Sequence, residues 1–315
     1  MRLDGKVVIV TGAGAGIGRA HALAMAERGA KVLVNDLGGD MDGAGKSAGP
    51  ANQVVEEIVA AGGEAIANAD SVIPPEGGQS IVDAAIDAWG RIDVVLNNAG
   101  VLGERMGIAD VTDVKIDSVI ATHLRGAFSV IRPAWRVMAE QGGGRIINTS
   151  SGTIFGIQSG ASYQAAKAAL LGLTRNLALQ GAGIGIKVNA LLPTAFSRMT
   201  NMIPQESFRQ FMEDRFTPER VAQFAVLMAS EGFTHSGEFF AVGGGRVARV
   251  VLGVTEGIIS ETSTAEDYAD HLEEAMDLGG LEVPPDRATE FNLYVGRLGW
   301  DGHLEVSMGR TPIAT

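Results

Sequence analysis

The sequence predicts an α/β fold: a doubly wound parallel sheet with helices on both faces and a helical extension at the C-terminal end. Three observations carry the prediction. Short, continuous apolar runs recur, as in Lys6-Val7-Val8-Ile9-Val10, Lys31-Val32-Leu33-Val34-Asn35 and Ile92-Asp93-Val94-Val95-Leu96, and such runs mark strands buried on both faces. Segments of helical length separate them, which implies right-handed crossovers between parallel strands. Turns carrying glycine or polar residues stand at the carboxyl ends of the runs, where sheets of this kind bind their ligands.

Each element has its own signal. The first strand runs straight into Thr11-Gly12-Ala13-Gly14-Ala15-Gly16-Ile17-Gly18, and a helix over 19–28 follows, ended by Gly29. Glycines permit a tight turn and close backbone approach to a ligand, and the amides of a helix's first turn suit a pyrophosphate. The second strand ends at Asp36, about twenty residues beyond the glycines, where a carboxylate can accept hydrogen bonds from both ribose hydroxyls. That carboxylate would repel a 2′-phosphate, and Ala15 offers no cation to hold one, so NAD is favoured over NADP. The spacing of Gly12, Gly16 and Gly18 departs from the commoner Gly-x-Gly-x-x-Gly.

A glycine-rich, acidic insertion over 38–50 precedes a helix over 53–60. Residues 64–69 lead to Asp70, Pro74-Pro75 make a break, and a helix over 79–89 precedes the strand at 92–96, which Asn97-Asn98-Ala99-Gly100 closes. One long helix is predicted over 115–138, a strand over 145–149 ending at Ser150-Ser151, a helix over 162–180, and a strand over 186–191 followed by Pro193. Residues 194–215, with Met199, Met202 and Met212, read as a helical lid over an apolar substrate. A helix over 218–230 and a last strand over 237–242, ended by Gly243 to Gly245, complete a first domain of residues 1–254. Residues 255–315 turn acidic and turn-rich, with one amphipathic helix over 265–278, and are too short for a core of their own. This extension is expected to pack on the first domain or on a neighbouring subunit.

Tyr163 and Lys167 stand four residues apart at the head of an apolar helix, so their side chains share one face. A tyrosine hydroxyl titrates at roughly 10 when unperturbed, and an ammonium beside it favours the phenolate. The pair is a candidate proton-transfer device.

Composition narrows the classes. The 315 residues are 46% hydrophobic and 20% charged, with a net charge of -12 and no cysteine. An acidic balance argues against nucleic acid and anionic membrane surfaces as partners. Disulfides are excluded, and no signal-peptide layout or apolar window of about 18 residues occurs, so a cytoplasmic location is expected. No metal-ligand set stands out.

With Thr11-Gly12-x-x-x-Gly16-Ile17-Gly18, Asn97-Asn98-Ala99-Gly100, Ser151 and Tyr163-x-x-x-Lys167 in order, residues 4–250 resemble the short-chain dehydrogenase/reductase family, a Rossmann-type fold. More narrowly, Val34-Asn35-Asp36-Leu37-Gly38-Gly39-Asp40, His123-Leu124-Arg125-Gly126 and Ser197-Arg198-Met199-Thr200 are similar to the (3R)-hydroxyacyl-CoA dehydrogenase domains of multifunctional β-oxidation enzymes. That group is also known for 17β-hydroxysteroid dehydrogenase activity. The resemblance implies Tyr163 as acid/base, Lys167 as the residue that lowers its pKa and holds the nicotinamide ribose, and Ser151 on the substrate oxygen. It implies a dinucleotide lined by Gly12, Gly16, Ile17, Gly18, Asp36, Asp70, Ser71, Asn97, Ala99, Gly100, Tyr163, Lys167, Pro193 and Thr194.

Two departures matter. His123 stands where the family's asparagine supports a relay water, and it is either part of that relay or a satisfied core histidine. The interval from Ser151 to Tyr163 is one residue short, which Ser150 would restore; the strand alignment favours Ser151. The implied reaction is NAD-dependent oxidation of a (3R)-3-hydroxyacyl-CoA, with oxidation of a free steroid alcohol or a silent NAD-binding redox sensor as alternatives. The implied partners are an acyl-CoA or steroid substrate and further copies of the chain, as a homodimer or homotetramer.

Overall fold

The computed structural model of the chain describes every residue except 41, 42, 44, 105, 197–204 and 303–315. The chain divides into two units, Met1–Val250 and Val251–Thr315. The first alternates strand and helix from its start. β1 (Val7–Thr11), α1 (Gly16–Glu27), β2 (Lys31–Asn35), α2 (Gly49–Ala60), β3 (Glu64–Asn68), α3 (Pro75–Trp89) and β4 (Val94–Asn97) build one half. α4 (Asp113–Ile120), α5 (Gly126–Glu140), β5 (Gly144–Thr149), α6 (Ala161–Gly181) and β6 (Ile186–Pro193) follow. α7 (Glu206–Arg215), α8 (Pro218–Ala229), β7 (Phe239–Gly243) and β8 (Arg246–Val250) close it.

The strand order is β3-β2-β1-β4-β5-β6-β7-β8. Every neighbouring pair is parallel except β7 and β8. All five residues of β1 are buried, and successive side chains leave the sheet on opposite faces. Val8 and Val10 join α1, α2 and α8 in one apolar layer, whereas Val7 and Ile9 join α3, α5 and α6 in the other. The doubly wound sheet therefore has a core on each side, and its carboxyl edge lies between them.

Three differences from the sequence reading have physical causes. First, the long central helix is not uniform. α4 and α5 are joined through a π-helical stretch, Ala121–Arg125, in which the Gly126 amide reaches back to the Ala121 carbonyl. The extra residue in that turn re-aims His123, and such insertions concentrate at functional sites. Second, the sheet has an eighth, antiparallel strand, β8, beyond the strand predicted to be last. Gly244 and Gly245, at φ of 60° and 84°, allow the chain to double back, and the exposed edge strand carries Arg246 and Arg249 where an internal one would carry aliphatics. Third, helices begin earlier than periodicity suggests. α2 and α3 each have a proline in the first turn, where its missing N–H costs nothing.

The second unit has helices α9 (Ala265–Asp270), α10 (Leu272–Ala275) and α11 (Arg287–Arg297). The single helix predicted over 265–278 is broken at His271, whose φ of -111° leaves the helical region. Arg297 ties this unit internally, donating to the Thr255 carbonyl at 3.0 Å and facing Glu282 at 3.5 Å. None of its described residues is buried.

Candidate active site

The glycine turn after β1 and the turn after β4 form one interlocked object. Thr11 Oγ1 accepts from the amides of Asn98 and Ala99, both at 3.0 Å. Asn98 Nδ2 donates to the carbonyls of Thr11 at 3.0 Å and Gly12 at 3.1 Å. Gly12 has φ of 62°, and a Cβ there would stand 2.8 Å from Ala99 Cα, so only glycine fits the seam. Gly16 has φ of 54° with nothing within 4 Å of its Cβ position, which leaves the surface before α1 open. α1 starts at Gly16 after extended Ala15, with no side-chain cap and no acid in its first turn. The free amides of a helix start and its positive dipole end favour a phosphate. This cradle fits the pyrophosphate of a dinucleotide, with Gly16 and Ile17 at its rim and Gly18 buried beneath it against the Gly12 carbonyl and Asn98.

Asp36 has a second task that the sequence did not disclose. Its Oδ2 accepts from the Gly14 amide and its Oδ1 from the Gly38 amide, each at 2.7 Å. The carboxylate shapes the glycine turn, and each oxygen keeps a second lone pair for a ribose hydroxyl. Asp70, past the end of β3, accepts from Ser80 Oγ at 2.7 Å and Asn68 Nδ2 at 3.0 Å. The Ser80 hydrogen bond, then that from Asn68, holds its carboxyl below the usual carboxylate range. The Ser71 hydroxyl accepts from the Ile73 amide at 3.2 Å and so shapes the turn into α3. Pro193 ends β6, and the Thr194 amide donates to the Val242 carbonyl at 2.8 Å.

The chemistry-bearing side chains converge at the carboxyl ends of β4 and β5. α6 places Tyr163 and Lys167 one turn apart, and Lys167 Nζ lies 5.6 Å from the centre of the Tyr163 ring. That ammonium donates to the Thr149 carbonyl at 2.6 Å. Ser151 lies close enough to Tyr163 for its hydroxyl to oppose the rise of the phenol's pKa. The Ser151 hydroxyl also accepts from the Thr153 amide at 3.2 Å, at the start of a short 3-10 turn. Ser150 points elsewhere: its Oγ donates to the Lys167 carbonyl at 2.8 Å, and the residue is buried. Of the two serines, the strand direction leaves Ser151 beside the phenol.

His123 meets the Tyr163 ring edge-on, with centroids 5.1 Å apart and planes at 88°. Its Nε2 is 2.9 Å from the Val101 carbonyl, while Nδ1 is buried without a partner. Gly100 must be glycine for this packing, since a Cβ would lie 3.0 Å from Nδ1 and against Cε1. Burial, and then the Lys167 charge, pushes the imidazole down to about 3, so it is neutral at physiological pH. Asn97, Thr149, Lys167 and His123 line a cavity of ≈ 10 Å³, room for one water at most.

The expectation that Lys167 draws the Tyr163 hydroxyl down meets an opposing effect. Burial raises the Tyr163 hydroxyl above 10, against the opposing pull of the Ser151 hydroxyl, and burial lowers the Lys167 ammonium to about 7. Both groups are held toward neutrality because a low-dielectric pocket penalises either charge. Near neutral pH the protein therefore holds a phenol beside an amine that titrates there.

Three supporting features escaped the sequence reading. Glu104 is 5% exposed; its Oε1 accepts from the Ser162 amide at 2.9 Å and its Oε2 from the Ser162 hydroxyl. It caps the first turn of α6, immediately before Tyr163. Gly103 lies against Tyr163, with a Cβ position 2.6 Å from the tyrosine Cβ. A buried ladder runs from Asn97 Nδ2 to Asn148 Oδ1 at 3.2 Å and from Asn148 Nδ2 to Thr174 Oγ1 at 2.9 Å, locking β4, β5 and α6 in register. Glu104 stands next to Arg105 and reads locally as one of a pair of surface charges; neither it nor the ladder has a local signal. Ser197, Arg198, Met199, Thr200 and Met202 lie outside the described residues. No helix among the described residues is long and apolar enough to cross a membrane.

Comparison with known proteins gives the same picture. The family model described as short chain dehydrogenase matches residues 6–209. The chain is 43% identical over 289 residues to the mouse Peroxisomal multifunctional enzyme type 2, covering 90% of this chain and 38% of that protein. It is 37% identical over 265 residues to the Hydroxyacyl-CoA dehydrogenase ChsB1 of Mycobacterium tuberculosis, covering 79% of this chain and 80% of that protein. Against the peroxisomal relatives it spans between 26% and 59% of their length. Among solved structures, a 7α-hydroxysteroid dehydrogenase complexed with NADH and 7-oxo glycochenodeoxycholic acid superposes with a TM-score of 0.69 at 30% identity, covering 78% of this chain and 95% of that one. The glycine seam, the Tyr163 helix and these likenesses together identify the chain as a member of the short-chain dehydrogenase/reductase family, an oxidoreductase that uses a nicotinamide cofactor.

Proposed function

We propose that the protein oxidises a (3R)-3-hydroxyacyl-CoA to the 3-oxoacyl-CoA with NAD. The observation that carries the chemistry is the convergence of the Tyr163 hydroxyl, Ser151 and Lys167 at the carboxyl edge of the sheet. The substrate class is supported by the Asp36-to-Asp40 segment and His123-Leu124-Arg125-Gly126, and by the hydroxyacyl-CoA dehydrogenase name of one relative.

Bound NAD would supply the hydride acceptor. Ser151 donates to the substrate oxygen and orients it; the Tyr163 phenol first gives its proton to solvent, and the resulting phenolate takes the hydroxyl proton as the carbon gives up its hydride. The products are a ketone, the reduced cofactor and a protonated Tyr163, which returns its proton to solvent. A charged Lys167 favours the phenolate, and the two hydroxyls steady negative charge on the substrate oxygen as it develops. The amides of Gly16, Ile17 and Gly18 would hold the pyrophosphate. Asp36 would accept from the ribose and would repel a 2′-phosphate, which is the reason for choosing NAD.

The test is an initial-rate panel of (3R)- and (3S)-3-hydroxyacyl-CoA and a 17β-hydroxysteroid with NAD or NADP, followed by absorbance of the reduced cofactor. The reading requires (3R)-acyl-CoA with NAD to win by at least about tenfold. Preference for the (3S) ester, the steroid or NADP would overturn it.

A further inference from the structure

The carboxyl edge holds a second cavity, of ≈ 390 Å³, lined by Thr194, Phe211, Arg215, Phe216, Val242 and Arg246 among others. It lies between the end of α7 and the β7–β8 turn. The floor is bare backbone: a Cβ at Gly243 would stand 3.1 Å from Phe216, and one at Gly244 3.0 Å. Arg220, in the first turn of α8, adds its guanidinium 3.3 Å from the Cβ position of Gly245. Phe211 and Phe216 meet edge to face, 5.9 Å apart.

What sets this cavity apart is its charge. The protein carries a net charge of -12, yet Arg215, Arg220 and Arg246 converge here. Among the described residues none of the three has a carboxylate or hydrogen-bond partner for its side chain. Unpaired guanidinium groups beside aromatic rings match a phosphorylated purine: the forks fit phosphate oxygens and the rings take a base face.

The cofactor's own phosphates are not the occupant. Their cradle is at β1, and β4, β5 and β6 lie between it and β7. Four strand spacings put the two about 19 Å apart. Thr194 instead connects the cavity to the end of β6, one strand from Ser151 and the reacting centre.

We propose that Arg215, Arg246 and Arg220, with Phe211 and Phe216, form the subsite for the phosphorylated nucleotide end of coenzyme A. This rests on the acyl-CoA reading above and adds the residues that separate a CoA ester from a shorter thioester.

The test compares wild type with Arg215→Gln/Arg246→Gln on a (3R)-3-hydroxyacyl-CoA and on the pantetheine thioester of the same acid, at saturating NAD. The ratio of kcat/KM for the CoA ester to that for the pantetheine thioester should fall about tenfold or more, the loss of at least one charge-assisted contact. In wild type, 3′,5′-ADP should inhibit competitively against the CoA ester, and the variant should lose that inhibition while keeping its NAD affinity and melting temperature. An unchanged ratio, or equal loss on both thioesters, overturns the subsite while leaving the acyl-thioester reading intact. Wild type that ignores both thioesters but oxidises a steroid overturns the reading itself, and the subsite with it. A double variant that fails to fold is replaced by Arg246→Gln alone, whose side chain stands on an edge strand.

Discussion

Replacing Gly12 by alanine tests whether the two turns really act as one cofactor seat. The residue sits at φ of 62°, and the new Cβ would stand 2.8 Å from Ala99 Cα, 3.1 Å from Ala99 N and 3.2 Å from Asn98 Nδ2. A left-handed alanine costs about 1–2 kcal/mol. Relief of the clash adds about 1–3 kcal/mol of overpacking, because the opposing atoms are backbone held by Thr11 Oγ1 and cannot rotate aside. The sum, about 2–5 kcal/mol, must be met by separating the glycine turn from the Asn97-to-Gly100 turn, the surface on which the dinucleotide would lie. Titration calorimetry with NAD should therefore show Kd raised by at least about 30-fold. Thermal unfolding of the same sample should show a lowered Tm. A Kd within about threefold of wild type, with Tm unchanged, would refute the idea that the seam is shared.

Two further outcomes follow from the buried charges. Lys167 titrates at about 7 when folded and roughly 10.4 when unfolded, so between those values the unfolded chain holds a proton that the native one lacks. Stability from this group must rise with pH across that window, by about 5 kcal/mol at most, and the penalty is fully present below pH 7. Urea unfolding at several pH values should show that rise in wild type and its loss in Lys167→Met; parallel curves would contradict it. Glu104→Ala uncaps the turn that presents Tyr163, which should cost about 1.5–3 kcal/mol in chemical denaturation. It should lower kcat more than it raises KM, and Glu104→Gln should recover part of both; an unchanged kcat would separate the cap from catalysis.

The sheet was legible because strands such as Val7–Thr11 are buried on both faces, and a short continuous apolar run is the direct mark of that burial. Turns were legible where glycine is obligatory, as at Gly12. β8 was not, because an edge strand that reads Arg-Val-Ala-Arg-Val has neither a buried run nor a clean alternation, and its only local signal is the glycine triplet before it. The π turn around His123 was hidden for a different reason: a shift from i−4 to i−5 bonding leaves no trace in residue type. The candidate site divides the same way. Tyr163 and Lys167 could be picked from their spacing and Ser151 from the alignment of the strand before it, but the states of charge depend on burial, which only the fold supplies. Asp36 shows the limit well, since the sequence suggested a ribose ligand and the structure adds a brace for Gly14 and Gly38. The Asn97–Asn148–Thr174 ladder joins residues 51 and 26 positions apart, a separation at which no local pattern operates.

The central claim is that Tyr163 moves the proton, and Tyr163→Phe tests it most directly. The substitution removes one oxygen from a ring fixed by His123 at 5.1 Å and by Lys167 at 5.6 Å, so the packing should persist. Measured with a (3R)-3-hydroxyacyl-CoA and NAD, kcat should fall by at least about 100-fold, while calorimetric NAD binding and Tm stay at the wild-type values. A variant that turns over at the wild-type rate would contradict the claim, because proton transfer would then proceed without the phenol oxygen.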